Sequence, residues 1–309
     1  CQKMSDKNYS VLISVLHMDE YYTIDSWPQE GDKVEIKPHG KQPGGRVANT
    51  SCVMAKLGDD VRFFDVLSND ASDAFLLDDL KKYGVNVDGV SYVDGLVNSR
   101  CMNILSKRDK TCLKIVNPKP KVKLSNEQWE LFLNANYIYC AMGFHELLEN
   151  SRESFATFIK HGARLAMDIE EGFSVEDQQY YFGISDVLFF NHYGFESNAK
   201  ISGGEEIFLQ SLFKKGVKFV VITLGKDGCK VITNKKTVYE AAYDIDVVDP
   251  SGAGDTFNGA FLHGLMKGWS VERCAKFAIA ASNYCVSTFG PRSGAVPEEK
   301  IMEFIKDHK

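Results

Sequence analysis

The chain has 309 residues, 44% hydrophobic and 25% charged, which suits a soluble globular protein whose core needs no staples. Its 36 Lys and Arg against 42 Asp and Glu give a formal charge of −6, which argues against a nucleic-acid binder with a basic face. No stretch approaches the roughly 18 consecutive apolar residues of a membrane span.

The opening CQKMSDKNYS lacks the apolar core of a signal peptide, and Cys1-Gln2-Lys3 reads as an added remnant before a start at Met4. Eight cysteines are scattered with no C-x-x-C, so they read as reduced core residues of a cytoplasmic protein. Apolar strand-like runs follow at 9–16, 61–67, 135–142, 163–169, 185–191 and 218–224. Helical stretches alternate with them at 46–57, 72–83, 125–134, 151–161 and 204–215, with three more at the C-terminal end. Such βαβα alternation with fully apolar strands predicts a parallel sheet covered on both faces. No repeat or linker divides residues 1–309, which read as a single domain. Two segments break the pattern. Residues 19–42 and 98–117 alternate polar and apolar like exposed antiparallel strands. They predict a flap over the carboxyl edge of the sheet, where ligands of such folds bind, or a dimer-forming surface, or both.

The densest chemical signal is DPSGAGDTFNGAFL, Asp249 to Leu262. The strand-like run AAYDIDVVD (241–249) enters the small-residue turn Gly252-Ala253-Gly254, and Asp255 opens an apolar helix. Bare N–H groups at a helix N-terminus attract an anion. A carboxylate beside them either works on the same reaction or merely caps the helix. Other chemistries are excluded more simply. The seven histidines form no H-x-x-x-H or H-E-x-x-H, no G-x-x-x-x-G-K-[ST] is present, and no G-x-G-x-x-G follows the first strand. The basic segment 107–123 reads as a solvated face and not as a single-strand platform.

DPSGAGDTFNGAFL resembles, residue for residue, the C-terminal signature of the PfkB (ribokinase-like) carbohydrate kinases. Two further motifs stand in the family's order: Gly44-Gly45-Arg46-Val47-Ala48-Asn49 with Ser51 and Gly58, and Thr223-Leu224-Gly225-Lys226-Asp227-Gly228. The resemblance covers nearly the whole chain. It implies a ribokinase-like three-layer α/β/α sandwich with a central, mostly parallel sheet and a small β-sheet lid. It also implies an ATP-dependent sugar kinase using Mg2+. In that family pattern Asp255 is the general base, and the amides of Gly252, Ala253, Gly254 and Asp255 form the anion hole. Thr223, Gly225 and Gly228 would meet the nucleotide, with Asn191 and Glu196 organising phosphate and magnesium-bound water. Asp19, Gly44, Gly45, Asn49 and Asp168 would hold the sugar. Asp249 and Ser251, with carbonyls near Val286, Phe289 and Gly290, match a monovalent-cation site, so K+ is a further expectation.

The departures fall mainly on the substrate side. Asn191 to Glu196 is two residues longer than the family's Asn-x-x-Glu, and Leu67 to Ser72 replaces glycines flanking an aspartate. Asp168-Ile169-Glu170-Glu171 stands where sugar kinases often carry Asp-x-Asn. A nucleoside kinase and a phosphosugar kinase therefore stay open, the latter with Arg100 and Arg46 gripping the extra phosphate. A non-catalytic regulator is the remaining alternative, disfavoured by the intact Asp255 element. The partners expected are a small sugar and ATP, without nucleic acid or membrane, and a second copy of the chain through the lid.

Overall fold

Strands with no polar face must be covered on both sides, and the chain alternates accordingly in the computed structural model, which describes residues 8–106, 110–169 and 175–308. After β1 (Tyr9–Ile13) the chain leaves the main sheet to form β2 (His17–Thr23) and β3 (Lys37–Gly44). It returns through α1 (Arg46–Lys56), β4 (Asp60–Phe64), β5 (Val66–Leu67), α2 (Ala71–Lys82) and β6 (Ser91–Tyr92). It departs once more as β7 (Arg100–Leu105) and β8 (Lys110–Ile115). Regular alternation follows: α3 (Asn126–Leu133), β9 (Tyr137–Ala141), α4 (Ser151–Lys160), β10 (Arg164–Ile169), α5 (Val175–Ile184) and β11 (Val187–Asn191). Two helices, α6 (His192–Ile201) and α7 (Glu205–Lys215), lead to β12 (Phe219–Thr223) and the edge pair β13 (Cys229–Ile232) and β14 (Thr237–Glu240). The last helices are α8 (Ala253–Met266), α9 (Val271–Val286) and α10 (Glu298–Asp307).

The main sheet runs β14-β13-β12-β11-β10-β9-β1-β4, parallel except that β13 runs antiparallel to both β12 and β14. Alternate side chains enter two cores. Leu12, Phe63, Tyr139, Phe189 and Val221 pack under α1, α2, α8, α9 and α10. Val11, Phe64, Ile138, Leu188 and Val220 pack under α3 to α7. The result is three layers, helix on sheet on helix. Among the described residues, no helix is long and apolar enough to cross a membrane.

The second sheet runs β3-β2-β7-β8. It corrects one expectation: β2 and β7 pair in parallel, so the lid is mixed and not antiparallel throughout. Residues 24–36 form no strand. Strand alternation gives the lid two unlike faces. Asp19, Tyr21, Cys101, Asn103 and Cys112 share one, while Met18, Glu20, Arg100 and Ile115 share the other. Tyr21 shows which face is inward. Burial pushes its phenol up to about 12, with the Asp19 carboxylate and then Asp249, from the turn before α8, adding to it.

Three other expectations change. The run 61–67 breaks at Asp65, which is fully buried and turns the chain from β4 into β5. Residues 241–249 are not a strand; Tyr243 N bonds Asn283 Oδ1 at 2.8 Å and Val248 N bonds Val286 O at 2.8 Å, so this run lies along α9. Helices α5 and α6 were not anticipated. The second contains Gly194 and Asn198, weak helix formers, and begins on the Asn191 cap.

Asp65 ties the lid's root to the main sheet. Leu16 N, at the exit towards β2, donates to Asp65 Oδ2 at 2.7 Å. Lys119 Nζ, on the return from β8, lies 2.6 Å from Oδ1 with its side chain 3% exposed. Removing one partner of a buried pair strands the other charge. Lys119→Met should therefore lower unfolding free energy by about 3–5 kcal/mol in urea titrations, the usual cost of a broken buried pair. A loss below about 1 kcal/mol, the range of solvent-screened surface pairs, would show that the pair does not secure the root.

Candidate active site

The turn before α8 is built by its smallest residues. Gly252 sits at φ 77°, a left-handed conformation costly for any residue with a Cβ, and an added methyl would overlap the Pro291 carbonyl oxygen. The turn is stapled from behind. Asp249 Oδ1 accepts from Ser251 N at 2.9 Å and Oδ2 from Gly290 N at 3.0 Å. Burial opposes ionisation of Asp249, but the hydrogen bonds from Ser251 and Gly290 hold its carboxyl below the usual range. Gly254 is exposed with open space around it, so the start of α8 can be approached by a ligand.

Asp255 follows in the first turn of α8. Helix α8 approaches α1 closely because Gly259 faces Thr50 O, where a Cβ would stand at 3.2 Å. That contact lets Asn49 Nδ2 donate to Asp255 Oδ2 at 2.8 Å and Thr50 Oγ1 donate to Asp255 O at 3.2 Å. The other end of the Asn49 amide accepts from Arg292 Nε at 3.0 Å.

Two clefts meet here. One, of about 270 Å³, is lined by Arg46, Asp168, Ile169, Phe189, Phe190, Asn191, Thr223, Gly254, Asp255 and Asn258. Asn191 and Thr223 end β11 and β12 and Asp168 is next to last in β10, so the cleft stands at the carboxyl edge of the sheet as ligand sites in open α/β sheets do. Arg46 Nη2 lies 3.5 Å from Asp168 Oδ2 across it. The second cleft, of about 250 Å³, is mainly apolar, with Val247, Phe257, Ile279 and Val286 on one side and Gly225 and Gly228 on the other. Both clefts share Thr223 and Gly254.

The expected residues therefore divide. Asp255, Gly254, Asp168, Asn191, Thr223 and Arg46 line the first cleft, and Ala253, Gly225 and Gly228 join the second. Asn191 Oδ1 caps α6 by accepting from Gly194 N at 2.7 Å. Asp19 and Gly44 stand on the adjacent lid strands β2 and β3, with Asp19 Oδ2 at 2.5 Å from where a Gly44 Cβ would be; Gly45 is the N-cap of α1. Asn49 is buried beside Asp255 and does not line the cleft. Two residues lie elsewhere. Arg100 is on the lid face opposite to Cys101, one strand position away from it, and lines a separate cleft against α2 with Glu20, Lys41 and Asp73. Glu196 pairs with His192 at 3.2 Å on α6, outside both clefts. Asp70, in the segment that departs from the glycine pattern, caps α2 through Asp73 N at 2.8 Å. Glu170 and Glu171 lie outside the described residues. Arg292 was missed from sequence; an arginine among the small residues GPRSGA was the available signal.

A family model described as pfkB family carbohydrate kinase matches residues 12–299. A probable fructokinase-5 of Arabidopsis thaliana is 27% identical over 83% of this chain and 85% of its own length. A 5-dehydro-2-deoxygluconokinase of Clostridium tetani is 24% identical over 93% of this chain and 91% of its own. The solved structure of Arabidopsis thaliana ribokinase complexed with ribose and ATP superposes with a TM-score of 0.83 at 23% identity, covering 97% of this chain and 99% of that one.

Proposed function

The chain belongs to the pfkB family of carbohydrate kinases, and from that premise we propose that it transfers the γ-phosphate of ATP to a hydroxyl of a free monosaccharide, with Asp255 as general base. The observation that carries this reading is the junction of the two clefts at Thr223 and Gly254. The apolar cleft suits a purine, and the polar one suits a polyhydroxy acceptor beside a carboxylate. Phosphate would then lie over the exposed Gly254, at the positive end of α8.

The acceptor hydroxyl attacks the γ-phosphorus, the bond to the ADP oxygen breaks, and the hydroxyl proton passes to Asp255. Asn49 Nδ2 holds Oδ2 of that carboxylate, which fixes its orientation towards the acceptor. Backbone N–H groups of Gly252 to Asp255 stabilise charge on the transferred oxygens, and Arg46 supplies a fixed positive charge in the same cleft. Bound Mg2+ supplies neutralisation of triphosphate charge, and the cleft oxygens of Asp168 and Asn191 are the groups suited to reach it. The inward face of the lid, with Asp19, covers the acceptor and keeps out water that would hydrolyse ATP. A monovalent cation such as K+ is proposed behind the turn. The ionised Asp249 supports it, although both of its oxygens already accept backbone bonds.

Neither arginine considered for a second phosphate stands ready for one. Arg100 lines a separate cleft away from Asp255, and Arg46 already faces Asp168. A free sugar is thus preferred to a phosphosugar. An ADP-release assay with Mg-ATP and panels of free sugars, nucleosides and phosphosugars, with and without K+, tests this. A free sugar should be turned over best; turnover confined to nucleosides or phosphosugars would overturn the assignment.

A further inference from the structure

Arg292 lies between α9 and α10 and is 8% exposed. Its Nε donates to Asn49 Oδ1 at 3.0 Å, and Asn49 Nδ2 donates to Asp255 Oδ2 at 2.8 Å. On its other side the guanidinium pairs with Asp79 of α2 and stands over the Tyr83 ring, 5.7 Å from the centroid. One buried charge therefore joins α2, α1 and the base on α8. The arrangement is costly to hold, since Nη2 is buried and finds no hydrogen-bond partner among the described residues. Apolar side chains of similar volume often replace a buried ion pair at no loss of stability. What they cannot supply is direction.

An Asn side chain can turn either its oxygen or its NH2 towards a neighbour. Arg292 can only donate, so its Nε–H takes the carbonyl end and leaves the NH2 end for Asp255. We infer that Arg292 is a positioning residue: by fixing the orientation of the Asn49 amide it holds Asp255 Oδ2 and so sets the carboxylate's orientation towards the acceptor hydroxyl. This rests on the reading of Asp255 as base. The same short loop meets the anion turn twice more, through Gly290 N on Asp249 and the Pro291 carbonyl packed against Gly252. Turn and base thus share one support.

Three variants separate positioning from mere anchoring. Arg292→Met should lower kcat by about tenfold to a hundredfold, while KM for ATP and sugar each stay within about threefold, because alignment and not binding is lost. Arg292→Lys keeps a cation beside Asp79 but cannot make both directed contacts, so it should fold and show the same loss in kcat. Asp79→Asn weakens the ion pair yet leaves the Nε bond to Asn49. It should lose comparable thermal stability with kcat within about threefold of the parent. All rates are read below each variant's melting transition. Full kcat in Arg292→Lys, or an equal loss in Asp79→Asn, would reduce Arg292 to a structural anchor. Asp255→Asn keeps the two readings apart. If it is inactive while the Arg292 variants are not, only the positioning role fails; if it is active, the base assignment fails.

Discussion

Asp255→Asn should lower turnover by about 10²–10⁴-fold, the range a general base contributes, while ATP affinity measured by calorimetry stays within a few-fold. The substitution is nearly isosteric and leaves a side-chain oxygen able to accept from Asn49 Nδ2, so the meeting of α1 and α8 is preserved. Gly259, which permits that meeting, is untouched. What would disappear is the group proposed to take the acceptor's proton as the new phosphate ester bond forms. The loss should therefore fall on kcat and not on KM. Near-normal turnover would sink the base assignment, and a collapse in ATP affinity would point to a binding role instead.

Gly252→Ala should be as damaging by a different route. The added methyl would overlap the Pro291 carbonyl oxygen and would sit on a residue at φ 77°. Backbone is not a flexible side-chain end that can swing away. Either the turn or the loop carrying Gly290 and Pro291 must shift, and Gly290 N is bonded to Asp249 behind the turn. We expect turnover to fall by about 10²–10³-fold, the cost of losing one donor from an anion hole. Unfolding free energy should fall by about 1–3 kcal/mol from strain. A variant that is destabilised yet fully active would show that the turn does not cradle the transferred phosphate.

Much of this arrangement was legible in the sequence, for reasons that differ from residue to residue. The parallel strands were readable because their coverage on both faces leaves continuous apolar runs, as in FVVI before Thr223. The turn at Gly252 was readable because only small residues fit it. By contrast, β13 and β14 are four residues each, too short to show alternation. The direction of β7 relative to β2 depends on tertiary pairing that no local pattern encodes. Arg100 illustrates the limit of composition-based reasoning: its charge suited a phosphate, but strand register put it on the lid face opposite to Asp19. Asp65 is itself a signal, a lone carboxylate among the apolar residues Phe63, Phe64, Val66 and Leu67. Arg292 gave a weaker one, since its partners Asn49 and Asp79 lie at the other end of the chain.

The parallel pairing of β2 with β7 has a consequence for how the molecule is assembled. Met18 pairs with Arg100, and the chain between them forms β3, α1, β4, β5, α2 and β6 before β7 can be laid down. A parallel pair cannot close through a tight turn. The lid therefore cannot nucleate by itself as a local meander would. Its central ladder closes a long loop, and such contacts form late because their entropy cost comes before their reward. Excised as a peptide, segment 98–117 would have only its β7–β8 hairpin, which is marginal alone. The cover of the cleft is thus a late product of the body it covers, and substitutions that slow the folding of α1 or α2 should delay the acquisition of a closed site more than that of the β9–β12 core.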